Sequence, residues 1–243
     1  MKIVAAGCSF TYNNEFTYAG WLADRAPLIN AGSCAAGNAY ISRAFLHHAY
    51  QDSNIIGICQ WSGIHRQGWL AHHLRIPKND ISKGDYHNEE DVHKQEYIWV
   101  KTGGNGITSK NNTNQVDRFF VQPYLKYFYN KEQTLVETAE AILRVYHYCE
   151  LKKIQCLMFW WKDELSKYKL GKFSKPLFDM ITDNEYITWL PPLGDWCIQH
   201  TEFTQKNLDN GEHPTPAQSK LYGEKVIWPY VSKKIELRRH TSC

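Results

Sequence analysis

The first eleven residues, Met1-Lys-Ile-Val-Ala-Ala-Gly-Cys-Ser-Phe-Thr11, decide how the rest of the chain is interpreted. Residues 1–6 form a short apolar run that ends at Gly7, a pattern typical of a buried β-strand. In an open parallel sheet, ligands bind at the carboxyl ends of the strands. Ser9 follows this first strand at once, so we expect it to face a functional site.

Strands and helices alternate after this segment. Residues 28–30 and 54–59 have the composition of short buried strands, and residues 18–26 have the apolar spacing of a helix. A further helix is predicted over 38–49, with Asn38 as its cap. Such alternation predicts an α/β fold in which a parallel sheet carries helices on both faces.

Residues 77–130 interrupt the pattern. They are polar, rich in Asn and Gly, and interleaved with aromatic residues. Because a structureless loop of this length is uncommon inside a compact domain, we interpret them as an insertion, either a lid or a small subdomain. The whole chain, 1–243, is then a single domain that carries this insertion.

Regular patterning returns in the last part of the chain. A helix is predicted over 132–150 and a strand over 154–160, whereas 177–189 fits either element. The last helix has the clearest start, because Thr215-Pro-Ala-Gln218 combines a capping box with proline at the first helical position.

Composition and charge exclude several classes of protein. The 28 Lys and Arg residues against 25 Asp and Glu give a net charge of +3, too small to indicate a nucleic-acid partner. The apolar runs are too short to cross a membrane, so no membrane partner is expected. Seven cysteines without the spacing of a disulfide framework favour a reducing compartment, and we expect a cytoplasmic protein.

A second group of reactive side chains lies at the opposite end of the chain. The loop Asp209-Asn-Gly-Glu-His-Pro214 directly precedes the capped helix. A serine nucleophile needs a base within hydrogen-bond reach, and the base needs an orienting partner. Ser9, then Asp209 or Asn210, then His213 supply these types in the order serine, acid, histidine.

These motifs together resemble the SGNH, or GDSL-like, hydrolase superfamily. The resemblance lies in Gly7-x-Ser9-x-Thr11 after the first strand and in the acid followed by His213-Pro214 near the C-terminus. It implies a flavodoxin-like three-layer α/β/α sandwich and a Ser–His–Asp triad. It also implies an oxyanion hole built from the nucleophile's N–H, a glycine N–H after strand two and an asparagine side chain after strand three.

The resemblance assigns roles to individual residues. Ser9 is the expected nucleophile and His213 the expected general base. Gly37, followed by Asn38, stands where the glycine donor is expected, and Ala35 is a second candidate.

The chain departs from the family pattern after strand three. Gln60-Trp-Ser-Gly63 replaces the family's Gly-x-Asn-Asp, so the third oxyanion donor is Ser62, Gln60 or Arg66. Arg66 is also a candidate for contact with an anionic or hydroxyl group of the substrate. Loss of one such donor typically lowers turnover by about 10²–10³-fold. The segment resembles a divergent branch found in phage and bacterial genomes.

The spacing of the acid is the second departure. Asn210 lies three residues before His213, where the family has its acid, and Asp209 lies four before it. An asparagine can orient an imidazole but does not stabilise the imidazolium as an anion does. We favour Asp209, placed by a one-residue bulge, and keep Asn210 as the alternative.

The resemblance implies a serine esterase or deacetylase that acts on a small acyl ester or an O-acetylated glycan, without cofactor or metal. A binding module with an incomplete oxyanion hole, recognising a glycan or a protein, is the alternative. An FMN-binding protein of the flavodoxin type is a further alternative. A metal site is a minor possibility at four residues of the insertion, Asp85, His87, Asp91 and His93.

Overall fold

The fold is described from a computed structural model. It describes residues 1–12, 14–34, 36–64, 66, 68–72, 97–101, 127 and 130–241, with the backbone alone for 68–72, 97–101 and 239–241.

Seven strands form two sheets in the described part of the chain. In chain order they are β1 (Lys2–Ala6), β2 (Leu28–Asn30), β3 (Ile55–Trp61), β4 (Gly68–His72), β5 (Tyr97–Lys101), β6 (Gln155–Trp160) and β7 (Ile187–Trp189). The main sheet is parallel throughout and has the order β2-β1-β3-β6-β7, whereas β4 and β5 form a separate antiparallel pair. This is the strand order of flavodoxin-like folds, so the predicted fold class is confirmed.

The helices cover both faces of the sheet. In chain order they are α1 (Ser9–Tyr12), α2 (Tyr18–Ala23), α3 (Asn38–Gln51), α4 (Lys131–Lys152), α5 (Ser174–Asp179), α6 (Leu193–His200), α7 (Gln205–Asp209), α8 (Pro216–Tyr222) and α9 (Trp228–Thr241). Helix α3 packs against α4 and α4 against α5, while α8 packs against α2 and α6.

Strand β6 shows how the two helical layers are separated. Successive side chains of a strand point to opposite faces, so Cys156 and Phe159 lie on different sides of the sheet. On one side, a Cβ at Gly57 would meet both the Phe45 ring of α3 and the sulfur of Cys156, within 3 Å. On the other side, Phe159 packs against the rings of Tyr18 in α2 and Tyr222 in α8.

Most local predictions agree with the observed elements. The predicted capping box is present, because Thr215 and Gln218 hydrogen-bond each other's backbone N–H groups at the start of α8. The third strand continues two residues further than predicted, to Trp61. The ambiguous stretch 177–189 contains the end of α5 and all of β7.

The insertion lies almost wholly outside the described residues. Within 77–130 the structure describes only β5 and residues 127 and 130, so the predicted lid and the four possible metal ligands between 85 and 93 stay untested. In the described part of the chain, no helix is long and apolar enough to span a membrane. No group of three or more His, Cys, Asp or Glu side chains there is placed to hold a metal ion.

Candidate active site

Ser9 and His213 meet at the carboxyl edge of the parallel sheet. Ser9 is the first residue of α1, three residues beyond the end of β1 at Ala6, and it is half-buried. Its Oγ lies 3.0 Å from Nε2 of His213, in the loop between α7 and α8. The structure therefore brings together the two groups that the sequence placed at opposite ends of the chain.

Aromatic packing positions the imidazole of His213. The ring stacks on Phe10, the residue after Ser9, with centroids 4.0 Å apart and planes inclined by 27°. Phe10 is buried and contacts Trp161, with ring centroids 5.2 Å apart. Phe10, the neighbour of Ser9 in sequence, thus supports one face of the imidazole.

The expected acid does not contact His213. Asp209 ends α7, where its Oδ1 accepts a hydrogen bond of 3.0 Å from Gln205 Nε2. Asn210 caps the same helix and donates from Nδ2 to Glu212 Oε1 at 3.3 Å. Both side chains are held by local hydrogen bonds at the end of α7, so the prediction that one of them orients the imidazole finds no contact to support it. Within the described residues, the arrangement is a Ser–His dyad.

Asp209 has a different electrostatic neighbour, Lys162. The Lys162 ammonium lies 4.2 Å from the centroid of the Trp161 ring and 3.9 Å from the carboxylate of Glu164. Burial lowers the pKa of Lys162, and the charges of Glu164 and Asp209 partly oppose that change. The Asp209 carboxylate therefore acts on a cation beyond β6 rather than on the imidazole.

His213 is held in the neutral form that a general base requires. His213 is an exposed residue, but Phe10 covers one face of its ring. Burial, and then the nearby guanidinium of Arg66, lower the pKa of His213 below its ordinary value. At neutral pH the ring is therefore free to accept the proton of the Ser9 hydroxyl.

Gln60 supports the backbone that carries Ser9. This fully buried residue accepts hydrogen bonds at Oε1 from Cys8 N–H at 3.1 Å, from Cys8 Sγ at 3.2 Å and from the Thr11 hydroxyl at 3.3 Å. Its Nε2 donates to the carbonyl of Trp61 at 2.6 Å. Of the predicted third oxyanion donors, Gln60 is thus already engaged in holding the loop that carries Ser9.

The same network explains the glycine that precedes Cys8. A Cβ at Gly7 would lie 2.1 Å from Thr11 Oγ1 and 2.9 Å from Gln60 Oε1. Any side chain at this position would therefore clash with both residues and displace them. The Thr11 hydroxyl donates its proton to Gln60 Oε1. It therefore accepts in its other hydrogen bond, of 2.8 Å, which the Tyr18 hydroxyl donates. The buried Tyr18 has a raised pKa, because burial disfavours its charged form, and it remains a donor.

Asn38 has a structural position that differs from the predicted one. The residue that caps α3 is Gly37, and Asn38 is the first helical residue. The buried Asn38 amide accepts from Ser62 N–H at 2.8 Å, and it donates at 3.3 Å to both the Ser62 carbonyl and Thr138 Oγ1. The expected capping role is therefore wrong, because these longer-range bonds fix α3 to the end of β3 and to α4.

Backbone donors for an oxyanion remain available near Ser9. Among the described residues, the N–H groups of Ser9 and Gly37 donate no hydrogen bond. The loops that carry them are tied together by a 3.0 Å bond from Ser33 N–H to the Gly7 carbonyl. Ala35, the second candidate donor, lies outside the described residues.

Two side chains after β3 have polar atoms that no described residue engages. The Ser62 hydroxyl is fully buried without a hydrogen-bond partner, and so are Nε and Nη1 of Arg66. Arg66 follows a tight turn in which its own N–H donates to the Gly63 carbonyl at 3.0 Å. Of the three predicted third donors, these two therefore keep free donor groups.

Comparison of the chain with models of protein families, with curated proteins and with solved structures found no match in any of the three. The resemblance to SGNH hydrolases accordingly remains a prediction from the motifs of the sequence.

Proposed function

We propose that the protein is a serine ester hydrolase that uses Ser9 as nucleophile and His213 as general base. The observation that carries the proposal is the 3.0 Å contact between Ser9 Oγ and His213 Nε2 at the carboxyl edge of the sheet. A serine paired in this way with a neutral imidazole has the signature of an activated nucleophile.

The reaction follows from these groups. Ser9 Oγ attacks the ester carbonyl carbon while its proton moves to His213 Nε2, and the resulting oxyanion accepts hydrogen bonds from the Ser9 and Gly37 N–H groups. The bond to the alcohol then breaks, and His213 returns the proton to the leaving oxygen. Water, deprotonated by His213, attacks the acyl-enzyme and releases the acid and the free serine. No cofactor enters these steps.

The proposed substrate is a small acyl ester, with O-acetylated glycans as the class that the family resemblance favours. The dyad requires no carboxylate at the second imidazole nitrogen, because Phe10 and the loop before α8 already position the ring. Because no described residue places an anion beside the imidazolium, we expect slower turnover than that of a full triad.

A binding module is the second candidate. Two observations favour it. Among the described residues His213 contacts no carboxylate, and the Asn38 and Gln60 amides are engaged in hydrogen bonds within the protein. Such a module recognises a glycan or protein with the same surface and does not hydrolyse it.

Hydrolysis of 4-nitrophenyl acetate distinguishes the hydrolase from the binding module. Wild-type protein, Ser9→Ala and His213→Ala are compared with Ser53→Ala and His147→Ala, two exposed positions away from the site. Turnover that both site variants abolish and both control variants retain supports the hydrolase. Equal rates in all five proteins contradict it, and glycan binding is then the activity to measure.

We also propose a cytoplasmic location. Six of the seven cysteines lie among the described residues, and all six are free thiols, as expected of a reducing compartment. Fractionation of cells that express the tagged protein tests this location, and a disulfide-linked, exported form contradicts it.

A further inference from the structure

Arg66 is a buried cation for which the described residues offer no counter-ion. Only 9% of the residue is exposed, and neither Nε nor Nη1 has a hydrogen-bond partner. A guanidinium does not lose its proton in proteins, so burial cannot be relieved by neutralisation. A charge in this position is costly unless an opposite charge pairs with it.

The described acidic residues close in sequence to His213 and to the end of β6 have other partners. Asp209 accepts from Gln205, and Glu212 accepts from Asn207 at 2.6 Å and from Asn210. Glu164 Oε1 lies 3.9 Å from Lys162 Nζ, an ion pair without a hydrogen bond. The guanidinium of Arg66 acts instead on the imidazole of His213, whose pKa it helps to lower. Arg66 follows the carboxyl end of β3, and β3 lies beside β1, so this cation is at the same edge of the sheet as Ser9 and His213.

The free donors near Ser9 exceed what a neutral ester requires. Backbone N–H groups of Ser9 and Gly37 are available for the oxyanion. The Nε and Nη1 nitrogens of Arg66 and the Ser62 hydroxyl, all buried after β3, also have no hydrogen-bond partner among the described residues. When His213 takes the proton of Ser9, the site holds two neighbouring cations, and an anionic group on the substrate would offset their repulsion.

We propose that Arg66, assisted by the Ser62 hydroxyl, binds a carboxylate on the substrate, so that the protein acts on acidic esters in preference to neutral ones. This inference rests on the proposed esterase function and names its substrate class. Arg66 is then a specificity-determining residue beside the dyad.

A pair of substrates of similar shape tests the inference. Ethyl hydrogen succinate carries a carboxylate, and ethyl 4-methylpentanoate places an uncharged group of similar shape at the same distance from the ester. We expect wild-type kcat/KM to be about 10–100-fold higher for the acidic ester, the range given by one hydrogen bond to a charged group. In Arg66→Met this ratio falls to about one, whereas in Arg144→Met, at an exposed position of α4, it is retained.

Two results overturn the inference. One is a wild-type ratio near one. The other is a fall in both rates in Arg66→Met that leaves the ratio at its wild-type value, since that would make Arg66 a donor to the oxyanion of any ester. Melting temperatures of the two arginine variants that match wild type show that the ratios belong to folded protein.

An NMR titration of His213 gives a readout that does not depend on hydrolysis. Succinate bound beside Arg66 neutralises a nearby positive charge, so it raises the pKa of the imidazole in the Ser9→Ala protein. The additional change Arg66→Met abolishes the effect. If the pKa responds to succinate but the wild-type protein has no esterase activity, the anion site is kept and the proposed function is rejected. Esterase activity with no response to succinate rejects the anion site alone.

Discussion

Ser9 Oγ and His213 Nε2 lie 3.0 Å apart although 204 positions of sequence separate them. One group follows the first strand and the other precedes α8, so only the folded sheet brings them into contact. Positioned proton transfer by a side chain typically contributes about 10²–10⁴-fold to rate. We therefore expect His213→Ala to lower kcat/KM on a reactive ester by that factor, measured beside His147→Ala. Equal rates for the two variants would remove His213 from the mechanism.

The pH dependence of hydrolysis should reflect the lowered pKa of His213. A general base works in its neutral form, so kcat/KM is constant above the pKa and falls as the pH drops through it. Because burial and Arg66 lower this pKa, the fall should be centred below about 6.5, the ordinary value for histidine.

In Arg66→Met the fall of kcat/KM at acidic pH should occur at higher pH, because a positive charge near His213 is removed. Burial of the ring, the larger cause, is unchanged, so the midpoint should stay below the ordinary value. The profile of kcat/KM between pH 4 and pH 9 measures both midpoints. A midpoint that moves to lower pH in Arg66→Met would contradict this electrostatic assignment.

Asp209→Asn should have little effect on hydrolysis. Removing the aspartate of a working triad typically costs about 10⁴-fold, but here the carboxylate accepts from Gln205 and does not contact His213. We expect kcat/KM to remain within about threefold of wild type, far from the loss that a triad aspartate brings. Asn210→Ala is the parallel test of the other candidate. A loss of a thousandfold in either variant would show that the loop before His213 rearranges to form a triad.

Gln60→Leu should lower both the free energy of unfolding and the rate of ester hydrolysis. The substitution removes the acceptor of the buried Cys8 N–H, and an unsatisfied buried donor costs about 1–3 kcal/mol. Chemical denaturation of Gln60→Leu and of Gln51→Leu, at an exposed position, measures the difference in free energy of unfolding. Identical unfolding curves would mean that the network beneath Ser9 contributes nothing to stability.

Asn38→Leu should be more destabilising than Thr138→Val. The asparagine makes three side-chain hydrogen bonds, two to the backbone of Ser62 and one to Thr138, whereas the threonine loses only the last of these. We expect a loss of at least about 1–3 kcal/mol for Asn38→Leu and a smaller one for Thr138→Val. Urea denaturation of both variants checks the order, and the reverse order would reject the clamp between α3 and β3.

The features that could be predicted from the sequence are governed by local pattern. The apolar run before Gly7 identifies β1 and so the edge at which Ser9 lies, and the Thr215 capping box identifies the start of α8 after His213. Each signal depends on a few consecutive residues. Ser9, just after β1, and His213, just before α8, are therefore found beside the two elements that local pattern predicts.

The features that could not be predicted depend on contacts between distant segments. Asn38 begins a helix, which favours a capping role, but the position of Ser62 beyond β3 gives its amide stronger partners. Helix α7 was not foreseen, so the direction of Asp209 at its end could not be known. The roles of Gln60 and of Arg66 likewise appear only when β3 lies beside β1.

The most direct test of the proposed function is covalent labelling with a fluorophosphonate probe, followed by mass spectrometry of the labelled peptide. We predict a single adduct on Ser9 in wild-type protein, absent in Ser9→Ala, nearly absent in His213→Ala and undiminished in Asp209→Asn. A wild-type protein that the probe leaves unlabelled, or an adduct on another serine, would contradict the assignment of Ser9 and His213 as the catalytic pair.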